Sequence, residues 1–196
     1  MQIDDLVKYI EKNNDSNNIV IIGNGSGGKT YLAENLKKVY GLSENNILNS
    51  DDYLIDSHLR KKLQLTVYQE EAYFLPALDR DIFMATNGMT FKKIADYCGK
   101  IKDYIPSNIN IFEGIGMAFT NIFNQSCLKI FIYTDPETEW NFRVSRDNIE
   151  RRIPLEVVKN KFESRRNSFE SEYEYLKTVC DIVIKNTKEG FFIDGK

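Results

Sequence analysis

Gly23-Asn24-Gly25-Ser26-Gly27-Gly28-Lys29-Thr30 is the stretch whose reading decides the fold. It has the form G-x-x-x-x-G-K-T and follows Asn18-Ile19-Val20-Ile21-Ile22, a short β-branched apolar run. Behind it, Leu32, Ala33, Leu36, Val39 and Tyr40 recur at helical spacing as far as Gly41. The first flank is patterned as a buried parallel strand, the second as a packed helix with a glycine stop. Glycines between the two let the chain curl until successive N–H groups face an anion, and the helix N-terminus adds partial positive charge. The loop therefore predicts a cradle for nucleotide phosphates made by Gly23, Asn24, Gly25, Ser26, Gly27, Gly28, Lys29, Thr30 and Tyr31. In it Lys29 would reach the β- and γ-phosphates and the Thr30 hydroxyl would hold Mg²⁺. A glycine-rich turn with an exposed lysine is the bland alternative, and the strand and helix on either side argue against it.

Further strands are legible downstream. Asn46-Ile47-Leu48-Asn49-Ser50 runs into Asp51-Asp52-Tyr53; Ile109-Asn110-Ile111-Phe112 runs into Glu113; Lys129–Tyr133 and Asp181-Ile182-Val183-Ile184 are two more apolar runs. Helical spacing appears at Leu6, Val7, Tyr9 and Ile10, over about 57–65 and 70–86, and from the Asp135-Pro136 cap onward. Ile153-Pro154 interrupts that last helix, and a second one runs to about Leu176. Phe91–Pro106 reads as a β-hairpin, with a helix as the alternative for its first half. Strands alternating with helices predict an α/β fold: three layers, a mostly parallel five-stranded sheet and a helical, arginine-bearing lid. One domain over 1–196 is expected, with the lid near 143–170 and an acceptor-side insertion near 54–106.

Composition narrows the class. The 196 residues are 42% hydrophobic and 28% charged, the balance of a globular protein, and the net charge of −3 gives no reason to expect a nucleic-acid or membrane partner. No apolar run approaches the roughly 20 residues of a membrane span, and Met1-Gln2-Ile3-Asp4-Asp5 lacks a signal-peptide layout. Cys98, Cys127 and Cys180 are odd in number and widely spaced, so neither a disulfide framework nor a zinc site is expected. The expected setting is a reducing cytoplasm, and self-association is left open.

In open parallel sheets ligands bind beyond the carboxyl ends of the strands, where the glycine loop, Asp51 and Glu113 all fall. A kinase acting on a hydroxyl needs a carboxylate to orient it and take its proton, which suits Asp51; Asp52 reads more naturally as a turn cap. Glu113 stands as a Walker B-like acid that would bind Mg²⁺ through water or touch the acceptor. Metal ligation is thus expected from Thr30, Glu113 and Asp51. Arg143, Arg146, Asp147, Arg151 and Arg152 form a third group: Arg143 and Arg146 share a helical face, and Asp147 and Arg151 are spaced to pair. Arginines beside a proline hinge could close over a nucleotide and stabilise the spread charge of the transferring phosphoryl. Arg165 and Arg166 are divided between that role and a solvated helix face, and Asp96-Tyr97 between a substrate contact and a turn.

With these motifs quoted, the chain resembles the family of uridine kinase, phosphoribulokinase and bacterial-type pantothenate kinase over roughly residues 18–186. The family's phosphate loop is matched by Gly23–Thr30, its D-[DS]-[FY]-[FY] segment by Asp51-Asp52-Tyr53-Leu54, and its E-G-[IL] strand end by Glu113-Gly114-Ile115. Its R-x-x-R-D-x-x-x-R run is matched by Arg143–Arg151 and its closing strand by Cys180–Ile184. The resemblance implies Asp51 as base, Lys29 and Thr30 at phosphates and metal, Arg146 and Arg151 near the transferring phosphoryl, and Arg143 near the acceptor. It departs where uridine kinases hold the ribose diol with an aspartate, since Tyr68 stands there, and the Y-D-[YF] hairpin becomes Ala95-Asp96-Tyr97. A phenol cannot chelate two hydroxyls as a carboxylate does. The expectation is an ATP- and Mg²⁺-dependent small-molecule kinase with Asp51, Lys29, Arg146 and Arg151 as catalytic residues. Asp51, Tyr68, Asp96, Tyr97, Glu113 and Arg143 would meet a nucleoside, sugar, pantothenate or another vitamin-like alcohol. The rivals are an ATP-binding regulator that phosphorylates nothing and a kinase whose acceptor is a phosphate.

Overall fold

A computed structural model describes residues 1–43, 45–93 and 101–194. The glycine-loop strand, β1 (Asn18–Gly23), forms near the middle of a sheet whose other strands are β2 (Ile47–Asn49), β5 (Asn110–Glu113), β6 (Leu128–Tyr133), β7 (Ile182–Thr187) and β8 (Gly190–Asp194). Their order is β2-β5-β1-β6-β7-β8, parallel except for β8, which returns antiparallel along β7. A separate two-stranded antiparallel sheet pairs β3 (Phe91–Lys92) with β4 (Asp103–Tyr104), which agrees with the hairpin expected over Phe91–Pro106 at its two ends. Asp96, Tyr97 and Cys98 lie outside the described residues.

The continuous apolar run of β1 is explained by burial on both faces. Ile19 and Ile21 join Leu6, Ile10, Leu32 and Leu36 in one core, with α1 (Ile3–Lys12) and α2 (Lys29–Val39). Val20 and Ile22 point the other way, into a core with Phe112, Phe131, Phe169 and Tyr173. That second core is covered by α4 (Leu75–Thr86) and α6 (Leu155–Glu172). The short α3 (Ser57–Lys62) has no buried residue and is started by the Asp56 side chain, which accepts from the His58 and Leu59 amides.

Several boundaries differ from expectation. The sheet has six strands rather than five, because Phe191 is buried beside α2 and so draws Gly190–Asp194 into register with β7. The predicted helix over 70–86 is divided into a 3₁₀ turn at Glu70–Ala72 and α4. The break falls where the Phe74 amide donates to the Tyr53 carbonyl and Pro76 fixes the first turn of α4. The helix begun at Asp135 is α5 (Pro136–Arg143), which continues as a π-helical turn over Val144–Glu150 and ends where Arg152 takes φ 57°. α6 stops at Glu172, with a 3₁₀ segment over Glu174–Val179 in place of its predicted last turn.

Candidate active site

The glycine loop is held from below before it can hold anything above. Gly28 begins α2 at φ 101°, a left-handed conformation, and a Cβ there would lie 2.7 Å from the Asn186 amide nitrogen. That amide, at the end of β7, donates to the Gly27 carbonyl (3.1 Å). Asn24 is fully buried and donates from Nδ2 to Thr134 Oγ1 (3.0 Å) and Glu139 Oε2 (2.9 Å). Lys29 folds back over the loop, its Nζ donating to the Gly23 and Asn24 carbonyls (3.2 and 2.8 Å). Burial lowers the Lys29 pKa against the opposing pull of Glu113 and Asp51.

Two strand ends carry the carboxylates. Glu113 terminates β5 and is 2% exposed; its Oε1 accepts from Thr30 Oγ1 (2.9 Å) and Asn49 Nδ2 (2.7 Å). Burial pushes its carboxyl up to about 7, with Lys29 acting in the opposite direction and Asp51 in the same one. Asn49 ends β2 and turns the chain there, accepting from the Asp51 amide (2.8 Å) and leaving the Asp51 side chain exposed. The next glycine locks the two ends together: Gly114 takes φ 122°, and a Cβ on it would strike Ser50 Oγ at 2.1 Å.

From the lid, the arginines arrive already paired. Arg143 is 3% exposed and donates from Nε to Glu139 Oε1 (2.7 Å), and Glu139 Oε2 also accepts from Arg166 (3.0 Å). One turn on, Asp147 accepts from Arg146 (2.8 and 3.1 Å) and Arg151 (3.3 Å). Burial alone would raise the Asp147 pKa, but Arg146, then Arg151 and Arg143, hold it below the usual range.

These parts face one cleft of about 410 Å³. It is lined by Gly25, Ser26, Gly28, Lys29, Thr30 and Tyr31 of the loop, by Asp51 and Glu113, and by Tyr68, Arg143, Arg146, Arg151 and Arg165. Gly23, Asn24 and Gly27 are buried under the loop instead of lining the cleft. At Gly25 the backbone comes so close to the lid that a Cβ would lie 2.6 Å from the Arg143 guanidinium, and in the same loop Ser26 Oγ is buried with no hydrogen-bond partner among the described residues, as a site for a ligand oxygen requires. Among the described residues no group of three His, Cys, Asp or Glu side chains could hold a metal by itself. A Mg²⁺ ion would thus depend on Thr30, on Glu113 or Asp51, and on ligand oxygens.

Sequence reasoning passed over Asn49, Glu139 and Asn186, which position the cleft's walls, and left Arg165 undecided. Glu139 alone had a readable signal, its (i, i+4) spacing from Arg143. Asn49 meets Glu113, and Asn186 meets Gly27, only through the tertiary fold.

The model of the phosphoribulokinase/uridine kinase family matches residues 93–190, half of the chain. A sequence search of curated proteins finds no match. Among solved structures, phosphoribulokinase from Rhodobacter spheroides is similar at TM-score 0.60 and 16% identity, covering 85% of this chain and 68% of that one. A "possible uridine kinase" from Bacillus stearothermophilus is similar at TM-score 0.50 and 17% identity, covering 92% of this chain and 96% of that one. At such identities the structures show the fold, and the family model supplies the kinship. Six strands in P-loop order, a glycine loop opening α2 and a paired-arginine lid agree with it, and the chain belongs to the phosphoribulokinase/uridine kinase family of P-loop kinases.

Proposed function

We propose that the protein transfers the γ-phosphoryl group of ATP to a hydroxyl of a small metabolite. The observation that carries the reading is the convergence of Lys29, Thr30, Asp51, Glu113, Arg146 and Arg151 on one cleft. In this reading the amides from Gly25 to Thr30 and the α2 N-terminus hold the phosphates of the donor. Lys29 leaves the loop carbonyls for the β/γ-phosphates. Thr30 and Glu113 would hold a Mg²⁺ ion, which would supply neutralisation of the phosphate charge. Asp51, exposed at the cleft edge, accepts a hydrogen bond from the acceptor hydroxyl, aligns it with the γ-phosphorus and takes its proton as the new P–O bond forms and the bond from the γ-phosphorus to the bridging oxygen breaks, with ADP as the leaving group. Arg146 and Arg151, both held by Asp147, stabilise the equatorial oxygens during transfer.

The test is acceptor-dependent ADP release together with ³¹P spectra, over a panel of nucleosides, sugars and vitamin-like alcohols. Asp51→Asn should leave nucleotide affinity near that of the unmodified protein while transfer falls by about 10²- to 10⁴-fold. Normal turnover in that variant would remove Asp51 from the mechanism. ATP binding without ADP release for any acceptor would favour an ATP-binding regulator.

A further inference from the structure

Three of the four arginines that line the cleft have carboxylate partners: Arg143 on Glu139, and Arg146 and Arg151 on Asp147. Arg165 is the exception. It lines the same cleft from α6, with no hydrogen bond or ion pair to any described residue. The carboxylate nearest in charge is Asp147, and its oxygens already serve two closer guanidiniums. Glu139 is similarly occupied, by Arg143, Arg166 and the Asn24 amide.

The Tyr68 phenol lines the same cleft, within electrostatic reach of Arg165. Its ring is 4% exposed and wedged against Phe169 and Tyr173, so its position is fixed by packing. Its oxygen, at the cleft wall, is 3.5 Å from the Gly25 amide. Burial pushes the Tyr68 pKa up to about 12, with Arg143 and Arg165 near enough to pull the other way. Tyr68 accordingly remains a neutral hydroxyl able to donate. A fixed O–H donor and an unpaired guanidinium facing one cleft form a receptor for an anion. Leu54, Val67 and Ile115 add apolar surface to the same cleft.

We infer that the phosphoryl acceptor is an anionic alcohol, a hydroxyl compound carrying a phosphate or a carboxylate, and that Arg165 and the Tyr68 hydroxyl receive its anion. This rests on the kinase reading above and adds the acceptor's charge class. The same position could not chelate a neutral vicinal diol, because a single phenol oxygen offers one donor and no anionic acceptor pair.

The experiment uses matched pairs that differ only in charge: ribose against ribose 5-phosphate, and glycerol against glycerate. Binding is measured first by calorimetry, with the full chain saturated by Mg²⁺ and the non-hydrolysable analogue AMP-PNP. The expected result is tighter binding of one anionic member than of its neutral counterpart, and the pair that shows it identifies phosphate or carboxylate. That preference should fall by roughly 10- to 100-fold in Arg165→Ala, recover in part in Arg165→Lys, and fall by a smaller factor in Tyr68→Phe. Equal binding within both pairs, a preference unchanged in Arg165→Ala, or an Arg165→Ala loss that falls on AMP-PNP instead would overturn the inference. Turnover with ATP then separates the two readings. Anion preference without transfer to any panel member retains the receptor and removes the kinase reading, whereas transfer to neutral alcohols alone retains the kinase and removes the receptor.

Discussion

Glu113 shows how much a single buried side chain is asked to carry. It closes a strand, accepts from Thr30 and Asn49, and faces Lys29, all at 2% exposure. Desolvation penalises its charged form, so the carboxyl titrates near about 7 in the folded chain against 4.5 for an ordinary glutamate. Proton linkage then sets the sign. The folded state keeps a proton that the unfolded state has released, so the stabilising contribution is complete below about 4.5 and is lost as pH rises towards about 7. In nucleotide-free protein with chelator present, the thermal midpoint should decline across that window, and in Glu113→Gln the decline should flatten. A decline of the same size in Glu113→Gln would assign it to other groups.

Elements explain which parts of the molecule could be read in advance. The loop, its strand and its helix were legible because the pattern is local: Ile19–Ile22 alternate between two cores, and the glycines sit where the backbone must turn. Asp135-Pro136 announced α5 for the same reason, since the cap and the proline act within one turn. β8 could not be read, because Gly190–Asp194 becomes a strand only by pairing with β7 and burying Phe191 against α2. The 70–86 segment misled because its apolar spacing continues through a break made by a distant bond, from the Phe74 amide to the Tyr53 carbonyl. The π-helical turn of the lid has no sequence signal that we can identify.

Glu139 is the element-scale counterpart of that limit. Its spacing from Arg143 is local, but Asn24 and Arg166, which complete the network, come from β1's loop and from α6. One carboxylate therefore ties the phosphate loop to both lid helices. Removing it leaves the buried Arg143 guanidinium without its counter-charge, so Glu139→Ala should destabilise the protein by about 3–5 kcal/mol in urea unfolding. A loss under about 1 kcal/mol would mean that the loop and lid are independent of this residue.

At the scale of the whole molecule, the phosphate loop is the connection between the two cores. β1 contributes Ile19 and Ile21 to one and Val20 and Ile22 to the other, and the chain leaves it directly into the loop and α2. A ligand held by that loop binds the folded chain and has no equivalent site in the unfolded one, so binding must appear as global stability. At a free Mg²⁺–AMP-PNP concentration of 100 times the dissociation constant, the gain should be about 2.7 kcal/mol. For a chain of 196 residues this corresponds to about 5–10 °C in the unfolding midpoint. The proposed function gives Lys29 a charge-assisted phosphate contact, so in Lys29→Ala the shift at the same ligand concentration should fall by at least about half. Trp140 is packed edge-on against Phe162 between α5 and α6, so its fluorescence follows the lid, while far-ultraviolet circular dichroism follows the sheet and helices. Both signals should move together by the same number of degrees. A ligand-induced shift seen at Trp140 but absent from the circular dichroism transition would mean that the lid unfolds separately and the loop does not couple the two cores.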